Sequence, residues 1–177
     1  MLVFILDKEQ GGSAPQIRQV ASGPPGIQQR QSHNSMIPQI SQAPGVIQLV
    51  LDFLDALKSN GFTGDVTTTY ADRLTMATDN SVYQLLPDAV LFPKATSDVA
   101  LIARLAGQER FKTLVFTPRG GGTGTNGQSL NRGIVVDMSR HMNRILDINI
   151  EQGWVKVEAG VIKDQLNDYL RPLGYFF

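Results

Sequence analysis

The 177-residue chain contains no cysteine. That absence removes disulfides and thiolate metal ligands and leaves a cytoplasmic setting open. Histidine is nearly as scarce: His33 and His141 alone cannot build a zinc site, so no metal site is expected. An excess of one charge is also missing, because 16 basic residues balance 16 acidic ones. Without a basic surplus there is no electrostatic footprint for nucleic acid or anionic lipid, and neither is expected as a partner. The opening apolar run, LVFIL (Leu2 to Leu6), is far shorter than the ~20 residues of a membrane span. It also lacks the basic start and long apolar region of a secretory signal.

What is present is 42% hydrophobic, the proportion of a globular protein, and long enough for one real core or parts of two domains. Three segments separate by composition. Residues 1–35 carry GGSAPQIRQVASGPPGIQQRQSHNS, too poor in apolar side chains to offset its ordering entropy, and are expected to be a disordered tail. Ordinary composition begins at Met36, which is expected to be the natural initiator. Residues 36–82 form a helical leader, with Val46, Ile47, Leu49, Val50, Phe53, Leu54 and Leu57 at helical spacing from Val46 to Asn60, and Gly61 placed to end the helix. In the rest of the leader, Asp72, Arg73, Asp79 and Tyr83 are read as mainly structural.

From residue 83 the chain reads as strand, helix, strand, glycine loop, strand. Ala89–Phe92 is a buried-strand pattern closed by Pro93. Thr96 or Ser97 is placed to cap the next helix, with Asp98 in its first turn and Val99, Ile102, Ala103, Leu105 and Ala106 on its apolar side. Thr113–Thr117 is the next strand; a crossover of this kind makes a parallel pair and puts the following loop at the ligand-binding edge of the sheet.

That loop, PRGGGTGTNG, has five glycines between Gly120 and Gly127. Glycine reaches φ > 0 cheaply and lets main-chain amides approach a ligand, so the loop is expected to cradle an anion such as a diphosphate. Gly122, Gly124 and Gly127 spell G-x-G-x-x-G, yet the β-branched run Ile134–Asp137 follows where a dinucleotide fold of the Rossmann kind needs a helix. No Gly-Lys-Ser/Thr ends the loop, which excludes a P-loop. The amides must therefore act alone, helped by the Thr123 hydroxyl and the Asn126 amide, with Arg119 as the adjacent charge. Downstream, Ile145–Ile148 and Trp154–Val157 read as a hairpin about Gln152-Gly153, followed by a helix from about Ile162 to Leu170 that Pro172 and Gly174 end. Trp154 is read as core, and His141 as a turn residue because no acidic partner is identifiable near it.

In order along the chain, LFPKATSDV, PRGGGTGTNG, IVVDMSRHMNRI and WVKVEAGVIKDQL resemble the PCMH-type (vanillyl-alcohol-oxidase type) FAD-binding domain of FAD-linked oxidases. With the leader YADRLTMATDNSVYQLLP they look most like its large bacterial flavin and iron–sulfur D-2-hydroxyglutarate dehydrogenases. The resemblance implies an α+β fold over residues 83–177: the first half of the domain, a small parallel α/β subdomain plus the start of an antiparallel β subdomain. It implies FAD as cofactor, held at Arg119, Gly120, Gly121, Gly122, Thr123, Gly124, Asn126 and Gly127. It also implies hydride transfer to FAD from a small 2-hydroxy acid of the D-2-hydroxyglutarate or D-lactate type. No catalytic residue is assigned, since in that family substrate and base residues sit in a later domain; an iron–sulfur region is likewise expected beyond Phe177. The alternative is a truncated, catalytically inactive nucleotide-binding fragment. A sheet ending at Phe177 is further expected to leave unpaired edges.

Overall fold

The computed structural model describes residues 45–177, together with the backbone of Leu2–Ile5 and Asp7–Lys8. The larger sheet takes the order β3 (Asp65–Thr67), β4 (Ala89–Phe92), β6 (Ile134–Asp137), β5 (Phe116–Arg119). β4, β6 and β5 run parallel, and β3 is antiparallel to β4. Every residue of β4 and β6 is buried, as continuous apolar runs in a covered parallel sheet require.

Helices α1 (Gln48–Ser59) and α3 (Thr96–Ala106) cover one face. Val50, Phe53, Leu54 and Leu57 of α1 meet Leu101, Ile102 and Leu105 of α3 over Ala89, Leu91, Ile134 and Val136. Phe53 meets Phe111 and Phe116 edge-on, each at 5.0 Å between ring centroids, a geometry that aromatic quadrupoles favour. The leader is thus part of this core. Helix α1 ends as its sequence implies: Phe62 N–H donates to the Leu57 carbonyl and Gly61 N–H to that of Lys58, the paired bonds of a Schellman end.

Several expectations shift. The strand foreseen at Thr113–Thr117 lies at Phe116–Arg119, because a 3₁₀ turn at Glu109–Phe111 and its continuation to Leu114 occupy the preceding residues. Pro118 is tolerated there because β5 is an edge strand. β4 and β5 are parallel but not neighbours, since β6 inserts between them. No side chain caps α3, whose cap position is Ala95. Instead the buried Asp98 carboxylate accepts the Lys94 and Thr63 amides at 2.9 Å each and the Thr63 hydroxyl at 2.8 Å. On that helix Leu101 is buried and Ala103 exposed, the reverse of the apolar side read from spacing.

A second sheet takes the order β1 (Leu2–Ile5), β8 (Trp154–Val157), β7 (Ile145–Asn149), all antiparallel. Helix α4 (Lys163–Leu170) packs on it around Val155, Val157, Leu166 and Leu170. β2 (Asp7–Lys8) pairs with β9 (Tyr175–Phe176). Part of the expected tail is therefore strand, and the edge of β8 is occupied rather than open. The remainder of the tail, and Met36, lie outside the described residues. Trp154 is half-buried, its indole N–H donating to Gln152 Oε1 at 2.9 Å.

Candidate functional site

Because β4, β5 and β6 are parallel, their C-terminal ends share one edge of the sheet, and the glycine loop leaves β5 at that edge. No helix intervenes before β6, as the β-branched run implied. Gly122 and Gly127 have φ of +67° and +73°, which L side chains rarely adopt. A Cβ on Gly122 would run into the Arg119 guanidinium, and one on Gly127 would lie 3.0 Å from the Tyr83 ring. At Gly120 and Gly121 a Cβ would meet only ordinary contacts, its nearest atoms 3.9 and 3.7 Å away. Gly122 and Gly127 are needed to make the bend.

Gly121 and Thr123 line a cleft of about 320 Å³ whose other wall is Val161, Ile162, Lys163 and Asp164. That wall is the start of α4, whose cap residue Ile162 provides no side-chain bond to the helix's free N–H groups. The N-terminal end of a helix therefore borders the cleft opposite the loop, a feature the reading of the loop alone did not include. A diphosphate fits this donor set of amides, one hydroxyl and the Lys163 ammonium; Asp164 is the opposing charge. The volume is at the lower end of that for ligand sites, enough for the middle of a dinucleotide rather than all of it.

The other expected residues are arranged differently. Arg119 turns beneath the loop: Nη2 donates to the Thr78 carbonyl at 2.9 Å, Nη1 to Ser129 Oγ at 3.4 Å, and Nε lies 3.9 Å from Asp137 Oδ2. Gly120, Gly122, Gly124, Asn126 and Gly127 do not line the cleft; the Asn126 main-chain N–H donates to Gln128 Oε1 at 3.0 Å.

Residues not assigned to the site hold the loop. Ser129 Oγ donates to Asp79 Oδ2 at 3.1 Å, and the Tyr83 ring lies against Gly127. The Ser81 hydroxyl, with the Ser81 amide and Ser129, holds the Asp79 carboxyl below its ordinary pKa. Asp137 accepts the Ser139 amide and hydroxyl at 2.9 and 2.8 Å and is itself buried. The 78–83 segment of the leader is thereby bolted to the loop, so Asp79 and Tyr83 are structural as read, but for this particular bend.

Farther along the same edge, His141 has an acidic partner after all. Its Nε2 lies 2.7 Å from Asp65 Oδ2, while Lys94 Nζ lies 2.8 Å from Oδ1. Asp65 and His141 are 76 positions apart, so only the fold reveals the pair. Hydrogen bonds from Lys94 and then His141 pull the Asp65 carboxyl down to about 2.

Residues 87–177 match the family model described as FAD binding domain. Two curated relatives carry the name D-2-hydroxyglutarate dehydrogenase. The protein from Escherichia coli (strain K12) is 78% identical over 142 residues, covering 80% of this chain and 14% of the relative. That from Pantoea ananatis (strain AJ13355) is 77% identical over 143 residues, covering 81% and 14%. Among solved structures, alkyldihydroxyacetonephosphate synthase superposes with a TM-score of 0.62 at 19% identity, over 77% of this chain and 28% of that one. The last is a likeness of fold. The chain spans about one-seventh of the length of the two dehydrogenases.

Proposed function

The chain belongs to the FAD-binding domain family matched over residues 87–177, and from that membership we propose that its glycine loop holds the diphosphate of FAD within a flavin-dependent dehydrogenase. The substrate we assign is a small 2-hydroxy acid of the D-2-hydroxyglutarate or D-lactate type, in keeping with the names of the relatives. The observation that carries the assignment of the loop is the cleft between Gly121, Thr123 and the uncapped start of α4. The glycine loop and the N-terminal end of a helix border one space, and both kinds of backbone favour an anion such as a diphosphate.

When bound, a flavin would supply the redox chemistry as hydride acceptor. Gly121 and Thr123 would hold its diphosphate from the loop, with Gly120 beside them, and Lys163 would face it from the start of α4. Gly122, Gly124, Asn126 and Gly127 shape the bend, and Arg119 braces it from below through Thr78, Ser129 and Asp137. The arginine acts by holding the loop, since its donors are already engaged there. We assign the substrate pocket, the base that takes the hydroxyl proton and an iron–sulfur region to parts of the whole protein outside this chain, and the reaction to the cytoplasm. Among the described residues no helix is long and apolar enough to cross a membrane.

Titration of the purified chain with FAD, FMN and ADP tests the loop. FAD and ADP, which carry a diphosphate, should bind weakly and compete, whereas FMN should not. Little flavin should survive gel filtration, because one cleft grips only part of the cofactor. Gly122→Val should abolish the FAD and ADP signals by driving a side chain into the Arg119 guanidinium. Unchanged binding in that variant, or equal binding of FMN, would remove the diphosphate from this loop.

A further inference from the structure

The edge of the parallel sheet opposite the glycine loop carries a second cleft, of about 390 Å³, a volume within the range of small-molecule sites. It lies where β4 and β6 begin: the Asp88 N–H, just ahead of β4, donates to the Arg132 and Gly133 carbonyls at 3.1 and 2.7 Å, just ahead of β6. The flavin cleft is at the other ends of these strands, so the two are separate.

The lining divides by chemistry. Arg73, on the short helix α2 (Tyr70–Thr75), and Arg132 bring two guanidinium groups, against the single carboxyl of Asp88. Arg73 is set deep and held there, its side chain 4% exposed: Nε donates to the Pro87 carbonyl at 2.6 Å, and Nη2 lies 3.7 Å from Asp88 Oδ1. Burial holds the Asp88 carboxyl above its ordinary pKa although Arg73 pulls the other way, so this carboxyl gives up its proton less readily than an exposed one. Arg132 is exposed and makes no ion pair among the described residues. Beside these groups Ile47, Leu85 and Leu86 form an apolar wall, and Ile47 is 52% exposed.

One guanidinium able to turn toward a ligand, a second fixed behind it and an apolar wall together ask for a particular guest. The planar fork of an arginine matches a carboxylate through two parallel hydrogen bonds. The wall rewards a short alkyl chain by taking its surface out of water. A phosphate dianion suits the cleft less, because it gains nothing from Ile47 or Leu85 and meets Asp88 with a greater charge.

We propose that this cleft binds a small aliphatic carboxylate, with its charged end on Arg132 in the field of Arg73 and its alkyl chain against Ile47, Leu85 and Leu86. Such a ligand ties the approach to α1 and the end of the leader to the base of the parallel sheet. The inference is independent of the flavin reading.

Sodium butyrate is the probe, added to the full 177-residue chain at constant ionic strength. Butyrate should raise the melting temperature saturably, more strongly than acetate, while chloride and phosphate have little effect. It should slow amide exchange at residues 84–88 and 132–133 and leave residues 120–123 and 161–164, at the flavin cleft, unchanged. Arg132→Gln, at an exposed position, should fold normally and weaken butyrate binding by about tenfold or more. Ile47→Ser should bring butyrate down to the level of acetate. Should Arg132→Gln fail to fold, Arg132→Lys keeps the charge, loses the fork and should still bind butyrate more weakly than wild type. The proposal is overturned by an equal response to chloride or phosphate, by exchange that slows only at 120–123 and 161–164, or by undiminished butyrate affinity in the arginine variants.

Discussion

In the parallel sheet, both central strands are buried throughout, and α1 and α3 cover one face. Among the described residues, twelve buried apolar side chains form that core, against four in the antiparallel sheet, where β8 is flanked by its hairpin partner and by a strand from the opposite end of the chain. The first half is covered by its own helices; the second takes a strand from a distant segment. This difference explains where ligand chemistry resides. A loop with strained glycines is held in place only if its foundation is rigid, and β5 and β6 supply that foundation. The antiparallel half contributes the second wall of the cleft, the start of α4, across a joint at Gly160.

The sharpest way to break the comparison is to damage the stronger core. Phe53 is fully buried and stacks edge-on with Phe111 and Phe116. Phe53→Ala should cost about 3–5 kcal/mol, a large part of the stability of a domain this size. Guanidinium unfolding should show the midpoint falling while both halves unfold together. If the antiparallel half retained its exchange protection in this variant, the claim that it depends on the parallel half would fail.

The joint itself gives the next effect. A Cβ on Gly160 would strike the Met138 carbonyl oxygen and lie 2.6 Å from the Ser139 Cα, all main-chain atoms that cannot step aside. The Gly160 amide also donates to the Met142 carbonyl at 2.8 Å. Gly160→Ala should therefore cost about 1–3 kcal/mol as overpacking, and should weaken ADP binding by moving α4 relative to Gly121. Equal ADP affinity in wild type and variant would detach α4 from the cleft. Gly153→Ala, at a turn with open space around it, separates joint from loop: it should cost stability through its φ of +67° and leave ADP binding alone.

How much of this was legible in the sequence follows the same division. Ile134–Asp137, Ala89–Phe92 and the end of α1 at Gly61 could be read because run length, flanking proline and a glycine stop are local signals. The glycine loop was found for the same reason, and so was the absence of a following helix. The insertion of β6 between β4 and β5 was not, since strand order is decided by packing over many residues. Pro118, read as the first residue of the loop, sits in a strand because that strand has only one neighbour. The start of α4 escaped notice as part of the site because nothing in Val161-Ile162-Lys163 announces a ligand until the fold sets it opposite Gly121. Asp65 with His141, and Leu2 with Val157, are pairings that no local pattern carries.

The smallest effect concerns the edge corner where those distant residues meet. Asp65 accepts from Lys94 and His141, and its pKa falls from 3.8 to about 2. A folded-state value below the unfolded one means that the ionised carboxylate favours folding. Its contribution is complete above pH 3.8 and is lost as pH falls toward 2. All these groups are partly exposed, with 40% of the Asp65 side chain and 44% of Lys94 in solvent, so salt screens the pairs and the effect is modest. Other carboxyls are shifted too: Asp72, Asp79, Asp98 and Glu158 are held low, while burial holds Asp88 high. The difference between wild type and Asp65→Asn isolates the corner. Thermal melts should show the two differing most near neutral pH and converging between pH 4 and about 2, with the gap shrinking in molar salt. A gap that stayed constant with pH would mean that Asp65 matters for shape and not for charge, and would move the corner from the ionic surface into the packing of the parallel half.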